Sequence, residues 1–364
     1  MASRFRNLFF HHLLLLLWLP SLVAASARVP ALIVFGDSTV DAGNNNQIPT
    51  VLKSNFSPYG RDIAGGRPTG RFCNGRLATD FISEALGLPS LVPAYLDPDY
   101  GIKDFAQGVC FASAGTGLDN ATSDVLVSRS TSQNNVTVTI VFSRWVVPQS
   151  VIPIWQEVEY FKEYRRRLGR YVGKARAVHI IREAVYIISI GTNDFLENYY
   201  SYVTGRFREF KVEEFEDFLI DRAADFLTAI YTVGARKISF TGLGAMGCLP
   251  LERTTNALHG GDCIEEYNKV ARDFNVKLQA LIHRLCSSLP GLKLRYAPVY
   301  DGLLRIIQNP SAYGECHEFL RLRHARFSPV YPHAAWKQGS RMWTRDAVRR
   351  GSSRWGICAI SGIH

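Results

Sequence analysis

Ser38 follows a short apolar run, Ala31-Leu-Ile-Val-Phe35, through Gly36 and Asp37. A hydroxyl that acts as a nucleophile needs a turn that exposes its oxygen, a base to take its proton, and N–H donors for the oxyanion. The apolar run reads as a buried strand. Gly36 permits a tight turn. Ser38 is then expected near the start of the next helix, where backbone N–H groups point outward. These local residues fit a plain N-cap serine as well. A second segment of the same kind is Gly191-Thr-Asn193-Asp194. Asn193 there reads either as a side-chain N–H donor for an oxyanion or as a turn-stabilising Asn after a strand. Asp37 and Asp194 have no His three residues on, so they read as holding loop geometry rather than orienting a base.

The elements that must position these residues alternate in type. Val185 to Ile190 is a continuous apolar run and reads as the clearest strand. Phe105–Phe111, Lys237–Phe240 and Leu292–Ala297 read as further strands. Arg76–Leu86, Glu213–Val233 and Ile264–Cys286 have helical spacing, the second with acidic residues in its first turn. Strands alternating with helices mean an α/β fold, a parallel sheet with helices on both faces. Active sites in such sheets lie beyond the carboxyl ends of the strands. Gly36-Asp-Ser38 and Gly191-Thr-Asn-Asp194 both fall there.

The wider sequence adds a resemblance. Gly36-Asp-Ser-Thr-Val-Asp-Ala-Gly-Asn-Asn-Asn46 resembles the first block of plant-type GDSL esterases/lipases, of the SGNH hydrolase superfamily, almost residue for residue. Gly65-Gly-Arg-Pro-Thr-Gly-Arg71, Phe111-Ala-Ser-Ala-Gly115, Ile190-Gly-Thr-Asn-Asp194, Gly247-Cys-Leu-Pro250 and Cys263-Ile-Glu-Glu-Tyr-Asn268 resemble later segments in the same order. The likeness runs from about Pro30 to Gly314 with one gap. It implies a single flavodoxin-like three-layer domain over 28–314 and a secreted ester hydrolase acting on small acyl or lipid esters without cofactor or metal. It implies Ser38 as nucleophile, its N–H also serving the oxyanion. Gly115 is implied as a second N–H donor, its missing side chain letting substrate approach, and Asn193 as a side-chain donor. Cys110 stands where the family usually has Asn, so that loop is expected to be less well pinned.

Two stretches depart from the family. Its Asp-x-x-His-Pro block, which holds the general base and the Asp that orients it, is absent from the whole sequence. Tyr331-Pro-His333 has His and Pro in reversed order and no Asp upstream. After Gly314 the composition changes abruptly: residues 315–364 hold eight of the arginines and four of the nine histidines, without clear period. Translation in another reading frame would give such a tail; an alternative exon or an evolved basic tail would too. Val127–Gln149 interrupts the likeness, and its ends fit codons beginning GT and ending AG, as a retained intron would. A natural surface insertion is the other reading. With the base missing, near-inactivity is expected. The alternatives are a secreted protein that binds lipids or esters without cleaving them, and a non-functional splice or gene product.

Bulk properties exclude other classes. The net charge is +10, but the tail alone carries nine Lys/Arg against three Asp/Glu. A nucleic-acid surface is therefore a poor reading. Arg4, Arg6, the Leu13–Leu19 core and Ala25-Ser-Ala27 read as a signal peptide over 1–27. No later run is long and apolar enough to span a bilayer. The expected location is extracellular, where disulfides form. Of the seven cysteines, Cys248 and Cys263 could staple a Gly-rich stretch. No Cys/His spacing suits a metal. Asn120-Ala-Thr and Asn135-Val-Thr are glycosylation sequons. Substrate identity and oligomeric state are not written in the sequence.

Overall fold

The computed structural model describes residues 29–124, 150–201 and 205–313. The signal peptide at 1–27, the stretch 127–149 with Asn135, and the tail 315–364 with His333 lie outside the described residues. Five strands form one sheet: β1 (Leu32–Gly36), β2 (Gly108–Cys110), β3 (Val185–Ser189), β4 (Lys237–Thr241) and β5 (Lys293–Ala297), in the order β2-β1-β3-β4-β5. All neighbouring pairs are parallel. This is the flavodoxin-like order, in which strand succession reverses between β1 and β3. Gly36, Ser189, Thr241 and Ala297 pair in register, so four strands end level. The crevice at the reversal is where α/β sheets of this order bind ligands.

Four strands and three helices lie close to where the sequence places them, whereas the helices Ile154–Val172, Lys174–Glu183 and Tyr300–Gln308 carry no expectation from it. Phe105–Phe111 is the exception: Ile102–Phe105 is one helical turn and only Gly108–Cys110 is strand. The Asp104 carboxylate accepts the Gly101 N–H at 2.9 Å and starts that turn. The helices are α1 (Ala78–Ala85), α2 (Ile102–Phe105), α3 (Asn120–Ser123), α4 (Ile154–Val172), α5 (Lys174–Glu183), α6 (Val212–Val233), α7 (Pro250–Thr255), α8 (Glu265–Ser288) and α9 (Tyr300–Gln308). Cys248 and Cys263 are disulfide-bonded, tying the turn after β4 to the start of α8.

The two faces of the sheet are covered unequally. On one face Ile33, Phe35, Tyr186, Ile188, Ile238, Phe240 and Leu294 are buried against α4, α5, α6 and α8. Phe35 stacks on Phe111, with Phe161 and Phe226 edge-on to it. On the other face Leu32 and Val34 pack under α1 through Leu77 and Leu86. Val185 and Ile187 are only half-buried there. Ser239 and Thr241 on β4 are half-buried too, and Lys293 and Arg295 on β5 are exposed. The second helical layer among the described residues thus covers β2 and β1 and leaves β3–β5 partly open.

Candidate active site

The turn after β1 is set by close backbone approach. Gly36 has φ 139°, and a Cβ there would lie 1.9 Å from the carbonyl oxygen of Ser189. Only glycine lets β1 turn while lying this close to β3. The next N–H, of Asp37, donates to that same oxygen at 3.0 Å. Asp37 Oδ1 accepts from Thr39 N–H at 3.0 Å and Thr39 Oγ1 at 2.7 Å, as the loop-holding reading of Asp37 expects. No helix follows: Asp37–Val40 is a turn, and the next helical residues are a 3₁₀ turn at Asn44–Gln47. Ser38 is therefore not an N-cap, and its N–H projects from a turn rather than a helix end. Ser38 is 7% exposed. Among the described residues neither its N–H nor its Oγ has a hydrogen-bond partner.

The loop carrying Gly115 is bound to this turn. Ser113 N–H donates to Gly36 O at 2.9 Å, and Ala114 N–H donates to Asp41 Oδ2 at 3.0 Å. Asp41 Oδ1 accepts from Gly43 and Asn44 N–H. Asn44 donates to the carbonyls of Cys110 and Ala112, and Asn45 to that of Ala114. The loop is thus well pinned with Cys110 in place, contrary to expectation. The pinning reaches its main chain, and the Cys110 thiol itself donates to Val40 O. Gly115 has φ 88°, which favours glycine, and a Cβ there would meet Leu52 Cδ1 at 2.7 Å. The space beside its Cα is filled by Leu52 and Val151. Its N–H has no acceptor among the described residues.

Asn193 is 3% exposed, and its Nδ2 donates to Thr116 O at 2.9 Å. A carboxamide has two N–H bonds, so a second stays available. Asp194 accepts from Leu118 N–H, Asp119 N–H and Thr122 Oγ1, again holding loop geometry. Asp119 then takes a forked pair of bonds from Arg206, at 2.9 and 3.3 Å, and one from Asn198. Ser38, Gly115 and Asn193 therefore stand on three segments that are hydrogen-bonded to one another. The turn Asp194–Tyr199 has π-helical geometry, which is frequent at functional sites.

Beneath Ser38 lies a carboxyl group that sequence reasoning missed. Glu157 on α4 is fully buried, and its Oε2 accepts the Gly36 N–H at 3.0 Å. Its Oε1 has no partner. Burial pushes its pKa well above the usual carboxylate value, and Asp41 and Asp37 nearby raise it further. Burial also raises Asp37 and Asp41 to about 6 and Asp194 to about 7, against the lowering effect of their hydrogen bonds. The signal was present in the sequence. Ile154, Val158, Phe161, Tyr164 and Leu168 form the buried stripe of α4, and Glu157 interrupts it.

Neither histidine with a described side chain is placed to act as a base to Ser38. His179 and His283 are exposed. They lie towards the C-terminal ends of α5 and α8, which feed the amino ends of β3 and β5, opposite the site. Among the described residues no three His, Cys, Asp or Glu side chains group as metal ligands.

The comparisons with known proteins meet this geometry. Residues 32–336 match the model of the GDSL-like lipase/acylhydrolase family. The chain belongs to that family. It is 57% identical over 288 residues to the GDSL esterase/lipase At4g26790 of Arabidopsis thaliana, covering 79% of this chain and 75% of the relative. It is 51% identical over 302 residues to GDSL esterase/lipase At2g04570 of the same plant, covering 83% and 79%. GDSL esterase/lipase APG, also from Arabidopsis thaliana, is 39% identical over 292 residues, covering 80% and 76%. Family and fold agree: the five-stranded parallel sheet with its helices is that of an α/β SGNH hydrolase, and the family's chemistry is hydrolysis of ester bonds. No described helix is long and apolar enough to cross a membrane.

Proposed function

We propose that this GDSL hydrolase binds small acyl or lipid esters in the crevice between β1 and β3 and cleaves them slowly. Ser38 holds the position of the family's nucleophile. The N–H groups of Ser38 and Gly115 and the second N–H of Asn193 receive the oxyanion. With a base present, Ser38 Oγ would bond to the ester carbonyl carbon while the base passes its proton to the alkoxy oxygen, whose bond to that carbon breaks, and the alcohol would leave. Water would then cleave the acyl–Ser38 bond and release the acid. The Ser38 proton needs an acceptor at the first step. The sequence has no Asp-x-x-His-Pro block to provide one, so the slow turnover is direct attack of water on the carbonyl held by the oxyanion donors. In a serine protease, loss of the nucleophile or base costs ~10⁶ in kcat and leaves ~10³–10⁴ over water from the oxyanion hole and binding. In this reading the signal peptide at 1–27 directs the chain out of the cell.

The observation that carries this reading is the pair of unengaged N–H groups, of Ser38 and Gly115, on segments bonded together at the strand ends. Preorganised donors of this kind act on the charge that develops at the carbonyl oxygen. The test is the residual rate on p-nitrophenyl butyrate. Asn193→Ala is expected to lower it by ~10-fold or more, up to the ~10²–10³ typical of an oxyanion donor. A residual rate unchanged by Asn193→Ala rules out the assigned oxyanion site. A second reading, a non-functional product that folds poorly, draws on the partly open face of β3–β5. A cooperative unfolding transition of the full chain counts against it.

A further inference from the structure

The sequon Asn120-Ala-Thr122 sits beside the Asn193 loop, to which Thr122 is bonded through Asp194. Asn120 is the first residue of α3, and its side chain is exposed without a hydrogen-bond partner among the described residues. Asp119 caps the turn, its Oδ1 accepting from Ala121 N–H. Thr122, which supplies the hydroxyl that the sequon requires, is 3% exposed. Its Oγ1 donates to Asp194 Oδ1 at 2.7 Å and accepts from Asn198 Nδ2 at 3.1 Å. One residue of the triplet therefore faces solvent while the other is locked under the Asn193 loop.

We propose that Asn120 is an N-glycan acceptor, modified before Thr122 docks onto Asp194. In the step, Asn120 Nδ2 bonds to the anomeric carbon of a lipid-pyrophosphate-linked oligosaccharide. The bond from that carbon to the pyrophosphate oxygen breaks, the lipid pyrophosphate leaves, and one amide proton is released. A finished glycan then has room, because the Asn120 side chain points out of the fold. The transferase cannot engage the Thr122 hydroxyl once it is buried, so attachment and docking have a fixed order. The inference rests on the secretory part of the proposed function. A further triplet, Asn55-Phe-Ser57, is followed directly by Pro58, which restricts Ser57 to extended backbone; it serves as a control.

The experiment is translation of the full chain with endoplasmic-reticulum microsomes. Protease protection reads entry into the lumen, and an N-glycosidase shift reads the glycan. Expected is a protected chain that loses one glycan in Asn120→Gln and in Thr122→Ala, and keeps it in Thr122→Ser, Asn55→Gln and Asn135→Gln. A protected chain with no Asn120 glycan overturns the site. An unprotected chain overturns the secretory reading and the site with it. For the order, the transferase is inhibited during folding and then released. Wild type is expected to gain no glycan at Asn120 after release, whereas Asp194→Ala, whose Thr122 hydroxyl has lost its acceptor, gains one. Late glycosylation of wild type to the same extent overturns the proposed order.

Discussion

The N–H of Gly36 donates to Oε2 of Glu157 across 121 positions of sequence, in a fully buried site. The strand end that carries Ser38 is thereby tied to α4. The Oε1 of Glu157 is unpartnered, and Asp37 and Asp41 are its electrostatic neighbours. A neutral carboxyl satisfies the Gly36 N–H without adding a third charge to that group.

Glu157→Gln keeps an acceptor for Gly36 and removes the ionisable group, whereas Glu157→Ala leaves a buried N–H unpaired. An unsatisfied buried donor costs about 1–3 kcal/mol, and the cavity adds to it. Urea unfolding at pH 7 should therefore show Glu157→Ala clearly destabilised and Glu157→Gln close to wild type or above it. Equal losses in both variants would mean that the bond to Gly36 is not what Glu157 contributes.

The buried carboxyls also set the pH dependence. Glu157, Asp37, Asp41 and Asp194 all have raised values in the folded state. Groups raised on folding contribute stability that is fully present below their unfolded values, near ~4, and is lost as pH rises through the folded values. For Asp37 and Asp41 that is about 6, and for Asp194 about 7. The free energy of unfolding should fall from pH 5 to pH 8, less steeply in Glu157→Gln. A rise over that interval would contradict the raised folded-state values of these groups.

Arg206 and Asp119 join the Gly115 loop to the segment after Asn193. Arg206→Ala removes the forked donor and leaves Asp119, whose side chain is 6% exposed, with Asn198 as its remaining side-chain donor among the described residues. Breaking a fully buried pair costs about 3–5 kcal/mol. The Arg206 side chain is 22% exposed, so a smaller loss of about 1–3 kcal/mol is expected after solvent screening. Lysine cannot supply the fork and should restore only part of it. A double-mutant cycle with Asp119→Asn measures the coupling directly, and a coupling near zero would remove the clamp.

The sheet and the three chemical segments were legible because the signals are local. An apolar run ending in Gly marks β1 and β3, and Asp37 and Asp194 could be read as loop-holding from the lack of a following His. What was not legible depends on distant partners. Ser38 looks like an N-cap until the carbonyl of Ser189 shows why the chain turns instead. Gly115 seems to make room for substrate, yet Leu52 and Val151, far away in sequence, occupy the space beside it. Cys110 seemed to weaken its loop because the bonds that pin it come from Asn44 and Asn45 to main-chain carbonyls. Glu157 was visible as a charge in an apolar stripe, but nothing in its own helix names Gly36 as its partner.

The most direct measurement is hydrolysis of p-nitrophenyl butyrate by the full chain and by Ser38→Ala. With no base for Ser38, both should turn over at the same residual rate, ~10³–10⁴ over water. Turnover near ~10 s⁻¹, the middle of the enzyme range, that Ser38→Ala abolishes would show that Ser38 has a base and would contradict the slow, base-free hydrolase proposed for this chain.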